Sequence, residues 1–331
     1  MSKRYLIIRG GYRKYDEISF LKGFSITAIV LMHLVQGWMK FLPGWIYKAS
    51  LIGGSGVHIF FFCSGFGLYL SYRMKEIGYK DFLQKRFLNV YIPYVIAVLL
   101  YFLIPLVKTE GNRFVALLSH VFLFKMFFPQ YEESFGPFWF ISTIFQLYFI
   151  FIPLCKFKRR AGNKSFLLSA FGLSILWWLF TALTGINSER IWGSFFLQYI
   201  WEFCLGMVLA DKLTDSDEIK INNLLLCSIA ICGIGLEAFL GLQGGWLKAF
   251  NDIPALLGFG ALGLLLFQIP GVRKIGVLLS NISYEWYLIH YLVFVCVGHF
   301  LGGWIACISA VIISILSAVL FCRVIKIVRV R

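Results

Sequence analysis

The chain has 331 residues, of which 60% are hydrophobic and only 14% are charged, and its formal net charge is +15. A soluble domain is about half apolar and about a quarter charged, so this composition excludes an ordinary soluble protein and indicates an integral membrane protein. The excess of basic residues fits loops held on the cytoplasmic side of a membrane better than it fits nucleic-acid binding.

Ten apolar stretches are long enough to cross a bilayer as helices, which takes about 20 residues each. They are 18–39, 52–71, 87–107, 138–155, 166–185, 192–210, 222–241, 252–269, 281–299 and 303–322. An eleventh run, 114–128, is shorter and contains His120 and Lys125, so we interpret it as a re-entrant or interfacial helix. The predicted fold is therefore all-α, a polytopic transmembrane helix bundle of about 10 spans plus this short helix.

The charges of the loops orient the predicted bundle. The ends that share the side of the N-terminus are 1–17, 72–86, 156–165, 211–221, 270–280 and 323–331; they hold 23 Lys and Arg residues, and the opposite ends hold 7. Basic residues accumulate on the cytoplasmic side, so both termini are predicted to be cytoplasmic. We expect a single integral-membrane domain over 1–331, with no appended soluble domain.

The eight cysteines lie in or beside apolar stretches and form no CxxC pair. Cysteines in such surroundings usually act as small buried hydrophobic residues. We therefore predict neither a disulfide nor a metal site.

The first span, LKGFSITAIVLMHL (21–34), carries Lys22 near its cytoplasmic end and His33 towards the outside. The step of 11 residues between them makes three helical turns, so both side chains share one face, about 16 Å apart along the axis. Two interpretations are open. Either Lys22 reaches the lipid headgroups and His33 is a packing residue, or Lys22 binds a charged cytosolic ligand and His33 is a base deeper in the bundle.

Other polar side chains of the first four spans also allow two readings. His58 follows several glycines near the outer end of the second span and is either a packing or a site residue. Arg86, at the cytoplasmic entry of the third span, is either an anchor or a phosphate ligand. Trp139, Ser142 and Gln146 recur at i, i+3 and i+7 on the fourth span, a polar stripe that interhelical hydrogen bonds alone would explain.

The later spans contain a carboxylate and a second row of polar side chains along one helix face. Glu202 lies within the sixth span and needs a partner in the bundle or a water-filled cavity. Ser283, Tyr287 and His290 share one face of the ninth span. We expect His120 and His299 to be packing or interfacial residues.

Six segments, in chain order, resemble signature segments of one known family. They are LKGFSITAIVLMHL (21–34), GSGVHIFFFCSGFGLYLS (54–71), FLQKRFLNVYIPY (82–94), FWFISTIFQLYFIFIP (138–153), EFCLGMVLA (202–210) and ISYEWYLIH (282–290). The family is acyltransferase 3, whose first transmembrane helix carries an Arg or Lys and then a His, with the spacing seen here between Lys22 and His33. The resemblance covers nearly the whole chain.

A few positions depart from the family pattern. Ser19 stands where the family has an Asp, and Glu17 would substitute for it only if the chain is not yet helical there. Asn89 replaces the second Arg of the basic segment, so only Arg86 carries over. Ile144 replaces a Glu that is common before the Q-x-Y signature.

The resemblance implies a membrane-bound O-acyltransferase of surface glycans in the bacterial cytoplasmic membrane. Such an enzyme transfers an acyl group, most often acetyl, from cytosolic acyl-coenzyme A to a hydroxyl of a cell-surface or lipid-linked glycan such as capsular polysaccharide or exopolysaccharide. Acetyl-coenzyme A is then a substrate, and no permanently bound cofactor is expected. The expected partners are membrane lipid and the glycan acceptor, not nucleic acid, and a homo-oligomer is compatible with the sequence.

The same resemblance implies roles for the residues. His33 is catalytic, either as a general base or as a transient acyl carrier, and Lys22 and Arg86 bind the phosphates of the donor. Supporting or acceptor-binding roles fall to His58, Trp139, Ser142, Gln146, Glu202, Tyr287 and His290. Of these, Glu202 or His58 is expected to fix the tautomer of the His33 imidazole.

A flippase or transporter of a lipid-linked sugar is the alternative, with the buried polar groups lining a transport path. Transporters often contain repeated halves, and the sequence shows no internal repeat. A membrane scaffold without chemistry would leave the Lys22–His33 pair unexplained.

Overall fold

The computed structural model describes residues 5–11, 14–132, 134–215 and 218–330, and most of its regular structure is helical. The helices are α1 (Asp16–Trp38), α2 (Gly44–Ser50), α3 (Gly56–Met74), α4 (Tyr79–Arg86), α5 (Ile92–Leu103), α6 (Arg113–Val121), α7 (Trp139–Thr184), α8 (Arg190–Gly193), α9 (Phe196–Asp215), α10 (Asn223–Gln243), α11 (Asp252–Phe267), α12 (Pro270–Ser280), α13 (Ser283–Phe300) and α14 (Gly303–Val330). The strands are β1 (Tyr5–Arg9) and β2 (Glu218–Asn222), and a π-helical turn, Phe87–Tyr91, joins α4 to α5.

Within the described ranges, seven helical segments are long and apolar enough to cross a membrane, or eight if the bent pair α11–α12 is one span. This pair turns by 117°. α11 has only 16 residues, which is too short to be counted as a span by itself. α13 has 18 residues, but its polar side chains make it too polar to be counted. The multi-pass helical fold is confirmed, while the number of ten spans stays a prediction.

Helix α7 is 46 residues long and is interrupted at Gly162, whose φ of 72° lies in the left-handed region. Unbroken, it would measure about 69 Å, more than twice the hydrocarbon core of a bilayer. Thr143 Oγ1 donates to the carbonyl of Ser194 at 2.6 Å. Trp177 Nε1 donates to the carbonyl of Trp192 at 3.2 Å. Both halves of α7 therefore reach one short segment, which requires them to fold back on each other at the break.

The basic loops meet at one end of the bundle. Lys158 Nζ lies 2.7 Å from Asp211 Oδ2, and Arg73 Nη2 lies 2.8 Å from Asp215 Oδ1. These ion pairs join three of the chain segments that were predicted to share the cytoplasmic side. Strand β1 pairs with β2 at the same end, so the N-terminal segment lies there too. The contacts place these segments on one side, and the assignment of that side to the cytoplasm stays a prediction.

A small two-stranded sheet, β1–β2, is added to the predicted helical bundle. The two strands run antiparallel, with Tyr5 opposite Asn222 and Arg9 opposite Glu218. Each strand has only five residues and finds its partner about 210 positions away. A two-stranded pairing is marginal by itself, so it depends on the bundle that brings its strands together, and a local sequence pattern does not reveal it.

The eleventh apolar run forms α6, which has nine residues and is about 14 Å long. Short 3-10 turns follow at Lys125–Phe127 and Pro129–Tyr131. Arg113, the first residue of α6, donates hydrogen bonds to the carbonyls of Phe102 and Ile104 at the end of α5. The run is therefore tied to its neighbour and is too short to cross a bilayer.

Helices α3 and α9 approach each other through glycines. A Cβ at Gly65 would lie 1.9 Å from the carbonyl oxygen of Phe203, and one at Gly206 would lie 2.1 Å from that of Phe62. Small residues allow this backbone contact, as they do in many membrane bundles. The approach fixes the spacing of the polar side chains that both helices carry.

We expect Gly65→Ala to lower the stability of the bundle by about 1–3 kcal/mol or more, because the added methyl group forces the two backbones apart. Gly67, on the same helix, has no atom within 4 Å of its ideal Cβ position. Gly67→Ala is therefore the matched control, and the better helix propensity of alanine makes it neutral or slightly stabilising. Thermal unfolding of the purified proteins in detergent measures both effects, and equal melting temperatures would contradict the close packing.

Candidate functional site

A cavity of about 1250 Å³ lies between α1, α3, α4, α7 and α13, at the end where the basic loops meet. Ligand pockets usually measure about 300–1,000 Å³, so this cavity has room for an extended, cofactor-sized molecule. One face of α1 lines it through Ile18, Lys22 and Ile29, and Tyr15, just before α1, lines it as well. The π-helical turn after α4 lines it as well, and such turns are frequent at functional sites.

Basic side chains outnumber acidic ones along this cavity. The basic lining residues are Lys14, Lys22, Lys75, Lys85 and Arg86, and the acidic ones are Glu76, Asp81 and Glu285. Within the described residues, neither Lys22 nor Arg86 forms an ion pair, whereas Glu76 is paired with Arg159. The cavity therefore favours an anionic ligand.

Arg86 ends α4 and is held against two aromatic rings. Its guanidinium carbon lies 5.6 Å from the ring centroid of Phe82 and 6.0 Å from that of Tyr148. Its Nε is buried and has no hydrogen-bond partner in the part of the chain that the structure describes. The rings thus position the guanidinium plane and leave Nε able to donate to a ligand.

The end of the cavity away from the basic loops leads towards two histidines. Ile29, Phe140 and Tyr287 line this end. Ile29 precedes His33 by four residues, and Tyr287 precedes His290 by three, so each histidine lies one helical turn, about 5 Å, beyond a lining residue. Neither histidine is itself among the lining residues.

His33 of α1 and His290 of α13 stack on each other. Nδ1 of His33 lies 2.9 Å from Nε2 of His290, and the ring centroids are 5.1 Å apart with 11° between the planes. His290 is fully buried, and His33 is half-buried. The two residues, 257 positions apart in sequence, therefore act as one unit.

The backbone around His290 determines which nitrogen carries its proton. Nδ1 of His290 lies 2.9 Å from the carbonyl oxygens of Trp286 and Tyr287, which can only accept. Nδ1 is therefore the protonated nitrogen, and Nε2 of the neutral ring accepts a hydrogen bond from Nδ1 of His33. Nε2 of His33 keeps a free lone pair, the state that a general base or a nucleophile requires.

The expectation that Glu202 or His58 fixes the tautomer of His33 is not what the structure shows. His58 Nδ1 lies 2.7 Å from Glu202 Oε1, so these two side chains pair with each other. Glu202 thus has the bundle partner that an intramembrane carboxylate needs. His290 is the residue that orients His33.

The polar stripe of α7 leads to α9. Gln146 Oε1 accepts a hydrogen bond from the backbone N–H of Phe196, at the start of α9, at 3.2 Å. The Trp139 ring centroid lies 5.9 Å from that of Tyr199, and Ser142 is buried with no hydrogen-bond partner for its Oγ among the described residues. Gln146 therefore forms an interhelical hydrogen bond, as expected if its role is in packing. A role in acceptor binding stays a prediction for Trp139, Ser142 and Gln146.

Tyr287 connects the cavity to the histidine pair. Its hydroxyl donates to the carbonyl of Pro137 at 2.6 Å, and its ring centroid lies 6.4 Å from that of His290.

Glu17 lies in the first turn of α1. It was expected to substitute for the family's Asp only if the chain is not yet helical there, and this condition is not met. Ser19, at the family's Asp position, donates to the carbonyl of Tyr15 at 3.0 Å.

The remaining two histidines lie apart from the pair. His120 is buried in α6, where its Nδ1 lies 2.8 Å from the carbonyl oxygen of Ala116. Burial lowers the pKa of His120 to about 3, so its ring is neutral at physiological pH. His299 is exposed near the end of α13.

Asp252, Gln198 and Glu237 complete the polar surroundings of His58 and were not among the sequence candidates. Asp252 Oδ1 lies 3.9 Å from His58 Nε2, and its Oδ2 accepts from Gln198 Nε2 at 2.6 Å. Glu237 accepts from the Ser55 hydroxyl. The sequence does contain a signal for Asp252 and Glu237, because carboxylates inside predicted membrane spans usually mark a functional site or a buried pair.

A family model described as an acyltransferase domain matches residues 15–326. This range includes the cavity, the histidine pair and the group around His58, except that it leaves out Lys14. No curated protein and no solved structure matches the chain.

Proposed function

Because the chain belongs to the acyltransferase 3 family, we propose that it transfers an acyl group, with acetyl favoured, from cytosolic acyl-coenzyme A to a hydroxyl of a surface or lipid-linked glycan. Membership supports a membrane acyltransferase in general, whereas the donor, the glycan acceptor and the bacterial cytoplasmic membrane belong to the proposal. The observation that carries it is the oriented His33–His290 pair, one helical turn beyond a large basic cavity.

The cavity suits the donor that we propose. Coenzyme A is long and carries phosphates at one end and the thioester at the other. Lys22 and Arg86, which lack ion-pair partners among the described residues, line the cavity at its basic end, where they would bind these phosphates. The thioester would then point along α1 towards His33. The cavity stops at Ile29 and Tyr287, so we expect these two side chains to shift when the donor binds.

In the first form of the mechanism, His33 is a general base. Its Nε2 takes the proton of the acceptor hydroxyl while the hydroxyl oxygen attacks the thioester carbonyl carbon. The C–S bond then breaks, and the departing sulfur takes the proton back from the His33 imidazolium. The products are the acylated glycan and free coenzyme A.

In the second form, His33 carries the acyl group. Its Nε2 attacks the carbonyl carbon and the C–S bond breaks; coenzyme A leaves as the thiol with the proton that Nδ1 of His33 gives up, and a neutral acyl-imidazole remains. The acceptor oxygen then attacks this carbonyl, the hydroxyl proton goes to the imidazole nitrogen, and His33 returns to its starting state. Both forms need the free lone pair that His290 directs to Nε2.

Mass spectrometry of the surface glycan, from strains with and without the gene, tests the proposed function. Loss of one acetyl mass per repeat unit in the deletion strain is the expected result. Unchanged glycan mass with loss of glycan export would instead favour a transporter. Unchanged mass with normal export would show that this glycan is not the acceptor.

We expect Arg86→Ala and Lys22→Ala each to raise the KM for acyl-coenzyme A by about 10- to 100-fold, because each removes a charge-assisted hydrogen bond to phosphate. The kcat is expected to change much less, since these contacts lie far from the reacting carbonyl. Steady-state kinetics in membranes with varied donor concentration measures both constants. Lys164→Ala is the control, because Lys164 is exposed at the same end and does not line the cavity; an equal KM in Arg86→Ala and Lys164→Ala would refute the donor site.

A further inference from the structure

A second polar group lies near the end of the bundle opposite the basic loops. It consists of His58 at the start of α3, Glu202 in α9 and Asp252 at the start of α11. One donor atom from each residue lies within 4.8 Å of the others. This group shares no residue with the His33–His290 pair and is not used in the proposed reaction.

Two buried carboxylate oxygens, one in this group and one on the neighbouring Glu237, have no hydrogen-bond partner within the described residues. Glu202 is 0% exposed, and its Oε2 forms no hydrogen bond while its Oε1 contacts His58. Glu237 is 6% exposed; its Oε1 accepts from Ser55, and its Oε2 forms no hydrogen bond. A buried carboxylate oxygen without a partner costs free energy that a bound ligand would recover.

Acidic side chains outnumber basic ones in this group and beside it. Glu202, Asp252 and Glu237 are three acidic groups, and His58 supplies at most one positive charge. Among the described residues, no Lys or Arg forms an ion pair with these carboxylates. Excess negative charge in a buried site is costly, so these carboxyl groups favour the protonated form unless a cation binds and takes the place of the protons.

We infer that His58, Glu202 and Asp252 bind a divalent transition-metal ion, with Zn²⁺ as the best fit. Zinc binds both imidazole nitrogen and carboxylate oxygen, the two kinds of donor present here, whereas calcium and magnesium prefer oxygen ligands alone. Two donors on one tetrahedral zinc ion lie roughly 3.4 Å apart, so a group whose donor atoms lie within 4.8 Å of one another has to contract by up to about 1.4 Å around the ion.

The surroundings support such a site. Gln198 donates to Asp252 Oδ2 at 2.6 Å and leaves Oδ1 facing His58. Metal-binding carboxylates are usually held by outer hydrogen bonds of this kind. The ion would tie α3, α9 and α11 together at this end of the bundle. This inference opposes the sequence-based prediction of no metal site, which rested on the cysteines.

Metal binding to the purified full-length protein in detergent tests the inference. After EDTA treatment, the wild-type chain is expected to take up one Zn²⁺ and to melt at a higher temperature in its presence, because an ion that binds only the folded state stabilises it. Glu202→Gln and Asp252→Asn are each expected to weaken Zn²⁺ binding by at least about 10-fold. Glu132→Gln, which removes a carboxylate paired with Arg190 instead, is the control and should bind as the wild type does.

A measurement on the wild type alone guards against variants that fail to fold. The X-ray absorption spectrum of the zinc-loaded protein is expected to show only nitrogen and oxygen neighbours, at about 2.0–2.2 Å. Sulfur neighbours would place the ion on cysteines and overturn the inference. Absence of stoichiometric Zn²⁺, Mn²⁺ or Co²⁺ uptake by the wild type would overturn it too, as would equal affinity in Glu202→Gln and Glu132→Gln.

Discussion

Replacing His33 by alanine is expected to abolish acyl transfer, with a loss in kcat/KM of at least about 10²- to 10⁴-fold, the usual contribution of a general base. In both forms of the mechanism the free Nε2 of His33 is the atom that meets the reacting groups. Binding of acyl-coenzyme A to the protein, measured directly and without turnover, should persist, because the cavity ends one helical turn before His33. Transfer of labelled acetyl from acetyl-coenzyme A to the glycan in isolated membranes measures the first effect, and donor binding to the purified protein measures the second.

His299→Ala is the matched control for His33→Ala, because His299 is an exposed histidine near the end of α13. Acyl transfer that survives in His33→Ala at the level of His299→Ala would disprove the mechanism. Incubation with labelled acyl-coenzyme A in the absence of acceptor then separates its two forms. Covalent label that remains on the wild type but not on His33→Ala supports the acyl carrier, and absence of label supports the general base.

Replacing His290 by alanine is expected to lower kcat by about 10²- to 10⁴-fold, which is the scale of effect when an imidazole loses the group that fixes its tautomer. Without His290 Nε2 as acceptor, the proton of His33 is no longer held on Nδ1. It can then move to Nε2, and in that tautomer Nε2 has no lone pair for the reaction. His290→Gln is expected to recover part of the rate, because its amide oxygen can accept from Nδ1 of His33.

The pH dependence of kcat distinguishes this positioning role from a structural one. His33 must be unprotonated at Nε2 to act, so the rate falls as the pH is lowered through the titration of the pair. The acid limb should move in His290→Ala and return towards the wild-type position in His290→Gln. Equal rates and equal acid limbs in these two variants, with similar melting temperatures, would show that His290 acts only in packing.

Several features of the protein follow from local sequence properties alone. Hydropathy over about 20 residues identifies membrane-spanning helices, and the charges of the loops group their ends. The ion pairs of Lys158 and Arg73 with Asp211 and Asp215 join three of the six segments in that grouping. The face shared by Lys22 and His33 likewise follows from the helical repeat, since both lie on the single helix α1.

The partners of the buried polar side chains could not be obtained in this way. The periodicity of a helix says which residues share its face but not which other helix lies against that face. Glu202 was recognised as needing a partner, yet only the close approach of α3 and α9 at Gly65 and Gly206 shows that the partner is His58.

The sequence by itself therefore determined the kind of protein, the grouping of its loops and the alignment of Lys22 with His33, because each depends on residues close together in the chain. The tertiary structure alone decided that His290 orients His33 and that Asp252 joins His58 and Glu202. These contacts join distant helices. Their physical basis is the packing of the whole bundle, in which each buried polar group must find its partner on another helix.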